Sequence, residues 1–148
     1  MPTTGGTAPR IVAGVDGSSS ARSALHWAIR QAELTGGSVD AVIAWEYPAA
    51  YGGYGMAPVG VSDVDFAGWA EKTVADEVAA AAADSAVDVR TQVTEGSPAR
   101  VLLAAAEGAD LLVVGSRGHG GFAEALLGSV GQHCVHHARC PVVVIRGQ

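Results

Sequence analysis

Apolar residues along this chain fall into short continuous runs separated by longer stretches in which they recur every three or four positions. The continuous runs predict strands at residues 10–16, 39–45, 111–114 and 140–145, of which the first is expected to be buried. One more strand is predicted at 87–93, where apolar and polar side chains alternate with a period of two, as in a strand with one wetter face near a sheet edge. Apolar positions at helical spacing predict four helices at residues 21–32, 63–81, 98–105 and 130–138.

This alternation of strands and helices predicts an α/β protein with a five-stranded parallel sheet covered on both faces by helices, a doubly wound arrangement. The chain has 148 residues, which suits one domain with a sizeable core. We assign that domain to residues 10–148 and expect residues 1–9, which are polar and rich in Gly and Thr, to be a disordered lead-in. Aromatic residues make up only 5% of the chain, so the core must consist of Ala, Val, Leu and Ile.

Local signals mark where the predicted helices begin and where the longest loop lies. Ser97 is expected to cap the third helix, with Pro98 at its first position, and Ser129 is expected to cap the fourth. The second helix is expected to begin at Asp63. Residues 49–60 are rich in Gly, Tyr and Pro without any period, and are a candidate lid loop.

The net charge and the two cysteines limit which binding partners and which cellular compartment fit this sequence. The formal net charge is −6 and no basic stripe is visible, which argues against nucleic acid as a partner. No apolar stretch reaches the roughly 18–20 residues that a membrane span requires, and no secretory signal is visible. Cys134 and Cys140, the two cysteines, are expected to be free thiols in a reducing cytoplasm.

The most informative feature for function is a glycine-containing loop that follows the strand at 111–114 and precedes the last helix. It contains Gly115 and Gly118, then nine residues, then Gly128 and Ser129. Glycines let a backbone approach a phosphate closely, and the N–H groups of a first helical turn point at it. We therefore expect a bound phosphate group, that of a nucleotide, next to Asp16 if the first and fourth strands are neighbours.

Three segments together resemble the universal stress protein family. They are the G-x2-G-x9-G-[ST] pattern, the strand end Val-Asp-Gly-Ser at 15–18, and the closing segment at 137–144 with its Cys-Pro-Val-Val-Val run. The match extends from residue 10 to residue 146. The resemblance implies a sheet of strand order 3-2-1-4-5 and membership of the subclass that binds ATP.

The resemblance also implies a role for particular residues. By position, the three glycines of the pattern and Ser129 would hold the phosphates and the ribose. Asp16 would lie near the nucleoside and any Mg²⁺, and Ala44 or Trp45 at the end of the second strand would border the adenine.

Two polar residues inside the loop have open roles. Arg117 either neutralises a phosphate or is a solvated side chain, and the same alternatives hold for His119. The full set of candidate binding residues is Val15, Asp16, Ala44, Trp45, Gly115, Arg117, Gly118, His119, Gly128, Ser129 and Val130.

Three functions remain open. The first is an ATP-binding regulatory or stress-response protein, the second a slow ATPase or phosphoryl-transfer enzyme, and the third a structural dimer module without nucleotide. Phosphoryl transfer needs cations around the γ-phosphate, but the chain lacks a G-x4-G-K-[ST] sequence and its one lysine, Lys72, lies outside the loop. We assign no catalytic residue and expect binding with slow or negligible turnover.

The last strand predicts a homodimer. Its residues are apolar on both faces and would lie at a sheet edge, where an exposed apolar strand is an aggregation hazard. Pairing two copies about a two-fold axis removes that edge, and the family that the chain resembles is usually dimeric. The residues of this predicted interface are Val142, Val143, Val144 and Ile145.

Overall fold

The computed structural model describes residues 8–47, 65–117 and 128–146, and these form five strands and four helices in alternation. In chain order they are β1 (Arg10–Val15), α1 (Ser19–Thr35), β2 (Ser38–Trp45), α2 (Phe66–Ala81), β3 (Val89–Glu95), α3 (Pro98–Ala105), β4 (Leu111–Gly115), α4 (Ser129–His137) and β5 (Val142–Ile145). The strands form one parallel sheet of order β3-β2-β1-β4-β5, which confirms the predicted topology.

Strand β1 is the centre of the sheet and the point at which the strand order reverses. It pairs with β2 on one side, where Arg10 is opposite Ser38, and with β4 on the other, where Ile11 is opposite Leu111. Since all five strands are parallel, their carboxyl ends meet at one edge of the sheet. In folds of this kind a crevice opens at that edge where the order reverses.

Helices cover both faces of the sheet, as predicted, and divide the core into two clusters. Side chains of opposite parity on each strand point to opposite faces. On one face Ala13 and Ile43 pack with α1 and α2, and on the other Val12 and Val42 pack with α3 and α4. These strand positions are almost completely buried. Alanines on α1 let that helix lie close to the sheet, which is how a core with few aromatic residues is filled.

Two helix starts differ from the sequence prediction. The prediction that Ser129 caps α4 is wrong, because Gly128 is the N-cap and Ser129 is the first helical residue. Gly128 has extended dihedral angles and its carbonyl accepts the first helical bond from the Gln132 N–H at 2.9 Å, so the helix begins earlier than its apolar pattern suggests. Helix α2 begins at Phe66, and the predicted start at Asp63 lies outside the described residues.

The position of the other predicted N-cap, that of α3, is confirmed. Ser97 is the N-cap of α3 and Pro98 is its first residue, although the Ser97 side chain makes no capping hydrogen bond. Helix α1 is capped by Ser18, whose Oγ accepts a hydrogen bond from the Ala21 N–H at 3.2 Å. It ends at Gly36, whose φ of 74° is the left-handed conformation that favours glycine.

An ion-pair network ties the strands together at the amino edge of the sheet. The Arg10 guanidinium lies 2.9 Å from an Asp40 carboxylate oxygen and donates to the Glu107 carbonyl at 2.7 Å. The Arg90 side chain binds the other Asp40 oxygen at 3.1 Å. One carboxylate thus links β1, β2 and β3 at the edge opposite the crevice.

Both cysteines are free thiols, and Cys134 is fully buried between α4 and the sheet. Burial, with a smaller contribution from the nearby Cys140 thiol, raises the pKa of Cys134 to about 11. Burial also raises the pKa of Cys140. No helix among the described residues is long and apolar enough to cross a membrane.

Candidate functional site

A cavity of about 660 Å³ opens at the carboxyl edge of the sheet, where the ends of β1 and β4 lie side by side. Its volume lies within the roughly 300–1,000 Å³ of small-molecule sites in proteins. Residues from the ends of three strands and from the first turns of all four helices line it. The reversal of strand order at β1 produces this opening, because the connections from β1 and β4 diverge on opposite faces of the sheet.

Most of the strand residues predicted from the sequence lie in this wall. Val15 and Asp16 come from the end of β1, Ala44 from β2 and Gly115 from the end of β4. Trp45 is not among the lining residues. It packs against the core on the α1 and α2 face of the sheet, because neighbouring residues of a strand point to opposite faces.

The first turn of α4 forms a second wall of the cavity. Gly128, Ser129 and Val130 all line it. The Gly128 N–H donates to the Ser116 carbonyl at 2.6 Å, which fixes the helix start against the end of β4. Because Gly128 has no side chain to cap the helix, the first-turn N–H groups are available to an anion from the cavity. Of the remaining predicted residues, Gly118 and His119 lie outside the described residues, as does the candidate lid loop at 49–60.

Asp16 lies in a tight turn between β1 and α1. One of its carboxylate oxygens, Oδ1, accepts a hydrogen bond from the Ser18 N–H at 2.8 Å, and Gly17 has a φ of 85°. The turn therefore holds the carboxylate in place at the cavity wall. Asp16 and Arg117 are the charged residues among the described part of the lining, so the cavity carries one negative and one positive group.

A buried serine fixes the loop that follows β4. The Ser20 Oγ donates a short hydrogen bond to the Arg117 carbonyl and accepts one from the Arg117 N–H at 3.3 Å. The Ser18 hydroxyl lies 3.4 Å from the same carbonyl. These bonds join the start of α1 to Arg117, which lies two residues after the end of β4. Ser20 was not predicted as a site residue, although a serine next to the apolar face of α1 indicates a buried polar contact.

The same contact requires a glycine at position 115. A Cβ atom on Gly115 would lie 2.5 Å from the Ser20 Oγ, 2.7 Å from the Ser20 carbonyl carbon and 2.8 Å from the Ala21 nitrogen. Two of those three atoms are backbone and cannot turn away. Close packing of β4 on α1 is therefore a sufficient reason for this glycine.

The aromatic and apolar part of the wall was not predicted from the sequence. Phe66 and Trp69 from α2 line the cavity, as do Pro98 and Leu102 from α3. Trp69 was the detectable member, because it falls outside the apolar face predicted for its helix, which consists of Ala67, Ala70, Val74, Val78 and Ala81. It is 47% exposed, although it is one of the largest apolar residues in the chain.

Fold and cavity together define a doubly wound α/β protein with a cavity at the reversal point of a parallel sheet. Residues 8–146 match the model of the Universal stress protein family. The chain belongs to this family, as its glycine pattern and its ending suggested.

The chain is similar to curated members of the family over nearly its whole length. It is 34% identical over 148 residues to universal stress protein Rv2623 of Mycobacterium tuberculosis, which covers 92% of this chain and 44% of the relative. A universal stress protein of Mycolicibacterium smegmatis is also 34% identical and covers 93% of this chain and 48% of the relative. The chain thus spans less than half the length of these relatives.

Solved structures of the family have the same fold. The universal stress protein UspA from Lactobacillus plantarum superposes with a TM-score of 0.79 at 25% identity, covering 95% of this chain and 99% of that one. A universal stress protein in complex with cAMP superposes with a TM-score of 0.66, also at 25% identity, covering 97% of this chain and 100% of that one.

The contact between β4 and α1 generates a stability prediction. Gly115→Ala should lower the free energy of unfolding by about 2–3 kcal/mol, because the added methyl group overpacks against backbone. Gly36→Ala is the comparison variant. A Cβ atom on Gly36 would have no atom within 4 Å, so the left-handed φ is the remaining cost of the substitution. The free energy of unfolding should therefore fall by about 1 kcal/mol. Urea unfolding followed by circular dichroism measures both, and a loss for Gly115→Ala no larger than that for Gly36→Ala would contradict the overpacking.

Proposed function

We propose that the cavity binds an adenine nucleotide, ATP with Mg²⁺, and that the protein is a nucleotide-dependent regulator in the stress response with slow or no hydrolysis. The observation that carries the proposal is the meeting of two features in one cavity. They are the first turn of the nine-residue helix α4, with no side-chain cap, and the carboxylate of Asp16 at the end of the central strand.

The phosphates would lie against the start of α4. The backbone N–H groups of Ser129 and Val130 are of the kind that bind phosphate at helix starts, where the helix dipole also favours negative charge. Arg117 lines the same cavity and supplies a positive charge. Because the chain as a whole carries a net charge of −6, attraction of an anion must come from these local groups.

The fit of Mg²⁺ depends on the nucleotide. Magnesium is usually held by one or two carboxylates together with substrate phosphates and water. Within the described ranges no cluster of three or more His, Cys, Asp or Glu side chains could hold a metal ion. Asp16 therefore suits a magnesium ion that arrives with the phosphates of ATP, and not one held by protein ligands alone.

Two further observations support an adenine nucleotide. The end of β2 contributes the small side chain of Ala44, which leaves room for a base beside Asp16. A solved family member at 25% identity is a complex with cAMP, an adenine nucleotide.

The slow-ATPase alternative has few positively charged side chains to support it. Lys72, the only lysine of the chain, lies on the exposed side of α2 and is 2.8 Å from Asp76, which raises the pKa of Lys72. It is not part of the cavity wall. Arg117 is the positive side chain of the described wall, and dedicated phosphoryl-transfer enzymes surround the γ-phosphate with several cations.

We also propose that the protein is a cytoplasmic homodimer formed through β5. This strand is the last in the sheet order and pairs with β4 on one side only. All four residues, Val142–Ile145, are apolar and half-buried. A second copy related by a two-fold axis would cover both the apolar side chains and the backbone groups of this edge.

A charge at the start of α4 tests the nucleotide site. Ser129→Glu should weaken Mg-ATP binding at least tenfold, about 1.4 kcal/mol, because the carboxylate repels the phosphates. Ser19→Glu is the matched control, since Ser19 is the exposed first residue of α1 and does not line the cavity. Both variants should keep the wild-type melting temperature, because an acidic side chain is favourable at a helix start.

Isothermal titration calorimetry with Mg-ATP measures these affinities, beside chromatography of the nucleotide released when the purified wild-type protein is denatured. Equal weakening by the two substitutions would contradict the assignment of α4. Wild-type protein that neither contains nor binds an adenine nucleotide would favour the structural dimer module instead.

Turnover of added Mg-ATP separates the regulator from the enzyme. We expect release of phosphate below about 0.01 s⁻¹, compared with ~1–100 s⁻¹ for kinases, because the described wall offers one positive side chain. A coupled phosphate-release assay measures the rate, and the Ser129→Glu variant controls for contaminating ATPases. A rate near 1 s⁻¹ that is lost in the variant would overturn the regulatory assignment.

A charge on β5 tests the dimer. Val144→Glu should convert the dimer to monomer, because it buries a carboxylate in the proposed interface. Thr91→Glu is the control, since Thr91 is exposed on β3, the opposite edge of the sheet. Sedimentation velocity measures the molecular mass of each variant after circular dichroism has established that it is folded. A folded Val144→Glu variant that stays dimeric would show that the interface lies elsewhere.

A further inference from the structure

The tryptophan in the cavity wall belongs to neither of the two core clusters that the described residues form. Trp69 lies in the first turn of α2, lines the cavity and is 47% exposed. The other two tryptophans, Trp27 and Trp45, pack against the core. A large apolar ring that is half accessible inside a cavity is well placed for a ligand, because a ligand that covers it removes apolar surface from water.

The cavity has two chemically different ends. The start of α4 lies beyond β4, whereas α2 packs on β2 and β3. Since β1 lies between β2 and β4, the two ends are about two strand spacings apart along the sheet, roughly 10 Å, and α2 and α4 lie on opposite faces of it. Backbone donors lie at one end, and the rings of Phe66 and Trp69 lie at the other.

This separation suits a molecule with a charged group at one end and a flat apolar group at the other. A nucleotide is such a molecule, with the ribose between its phosphate and its base. If the phosphate binds the start of α4, the base reaches the side of the cavity formed by α2 and β2. The small and apolar side chains of Val42, Ala44 and Leu102 line the same cavity from the opposite face of the sheet, the face that α3 covers.

We propose that Trp69 is the aromatic wall of a base subsite and makes the site prefer purine over pyrimidine nucleotides. This inference rests on the proposed function and assigns the base end of that same cavity. An aromatic side chain that stacks on a base is typically worth tenfold or more in affinity, and stacking favours the larger purine ring system. Phe66 supports the same end of the cavity from one turn earlier in α2.

The experiment compares two substitutions at Trp69 with a matched one at Trp45. Trp69→Ala deletes the wall, Trp69→Phe retains an aromatic ring, and Trp45→Phe makes the same change at a tryptophan outside the lining. Calorimetric titration with AMP, ATP and UMP gives the affinity of each variant. The quenching of tryptophan fluorescence by AMP gives a second readout that reports directly on which indole the ligand approaches.

We expect Trp69→Ala to weaken AMP at least tenfold and to reduce the preference for AMP over UMP. Trp69→Phe should restore affinity to within about threefold of wild type while the quenching by AMP is lost, and Trp45→Phe should retain both. AMP binding that is unchanged in Trp69→Ala, or quenching that persists in Trp69→Phe, would overturn the base subsite and leave the proposed function standing. Wild-type protein that binds none of the three nucleotides would overturn the proposed function and this inference with it.

Discussion

The crevice depends on one close contact, between the end of β4 and the first turn of α1. The Ser20 hydroxyl donates to and accepts from the backbone of Arg117, and Gly115 leaves no space between the strand and the helix. This contact sets where the chain leaves β4. Because the Gly128 N–H then binds the Ser116 carbonyl, it also sets where α4 begins. The end of β4 and the start of α4, two walls of the cavity, are thus held in place by hydrogen bonds to the backbone of residues 116 and 117, with the buried Ser20 side chain at their centre.

The fold was predictable because the signals that define it are periodic and local. Continuous apolar runs marked β1, β2 and β4, which are largely buried, and also the half-buried edge strand β5. The alternation in β3 marked the other edge strand. Helix starts were harder, because a residue such as Gly128 can become an N-cap through its dihedral angles alone. An apolar pattern gives the core-facing residues of a helix, and those need not include its first residue.

The site was predictable where the chain passes through it at strand ends and where the glycine pattern marks the start of α4. Val15 and Gly115 terminate apolar runs, so their position at the carboxyl edge follows from the topology. The sequence could not tell whether Ala44 or Trp45 lines the cavity, because the answer depends on which helix covers which face of β2. The contribution of Trp69 depends on the packing of α2, which is a tertiary contact with no local signature beyond an aromatic residue off the apolar face.

The burial of Cys134 has a consequence for the reactivity of its thiol. Peroxides and disulfides react with the thiolate form of cysteine. With a pKa of about 11, on the order of one Cys134 side chain in several thousand is a thiolate at pH 7.5. The buried Cys134 sulfur is therefore a poor nucleophile, so its side chain acts as a small apolar contact that holds α4, one wall of the cavity, on the sheet.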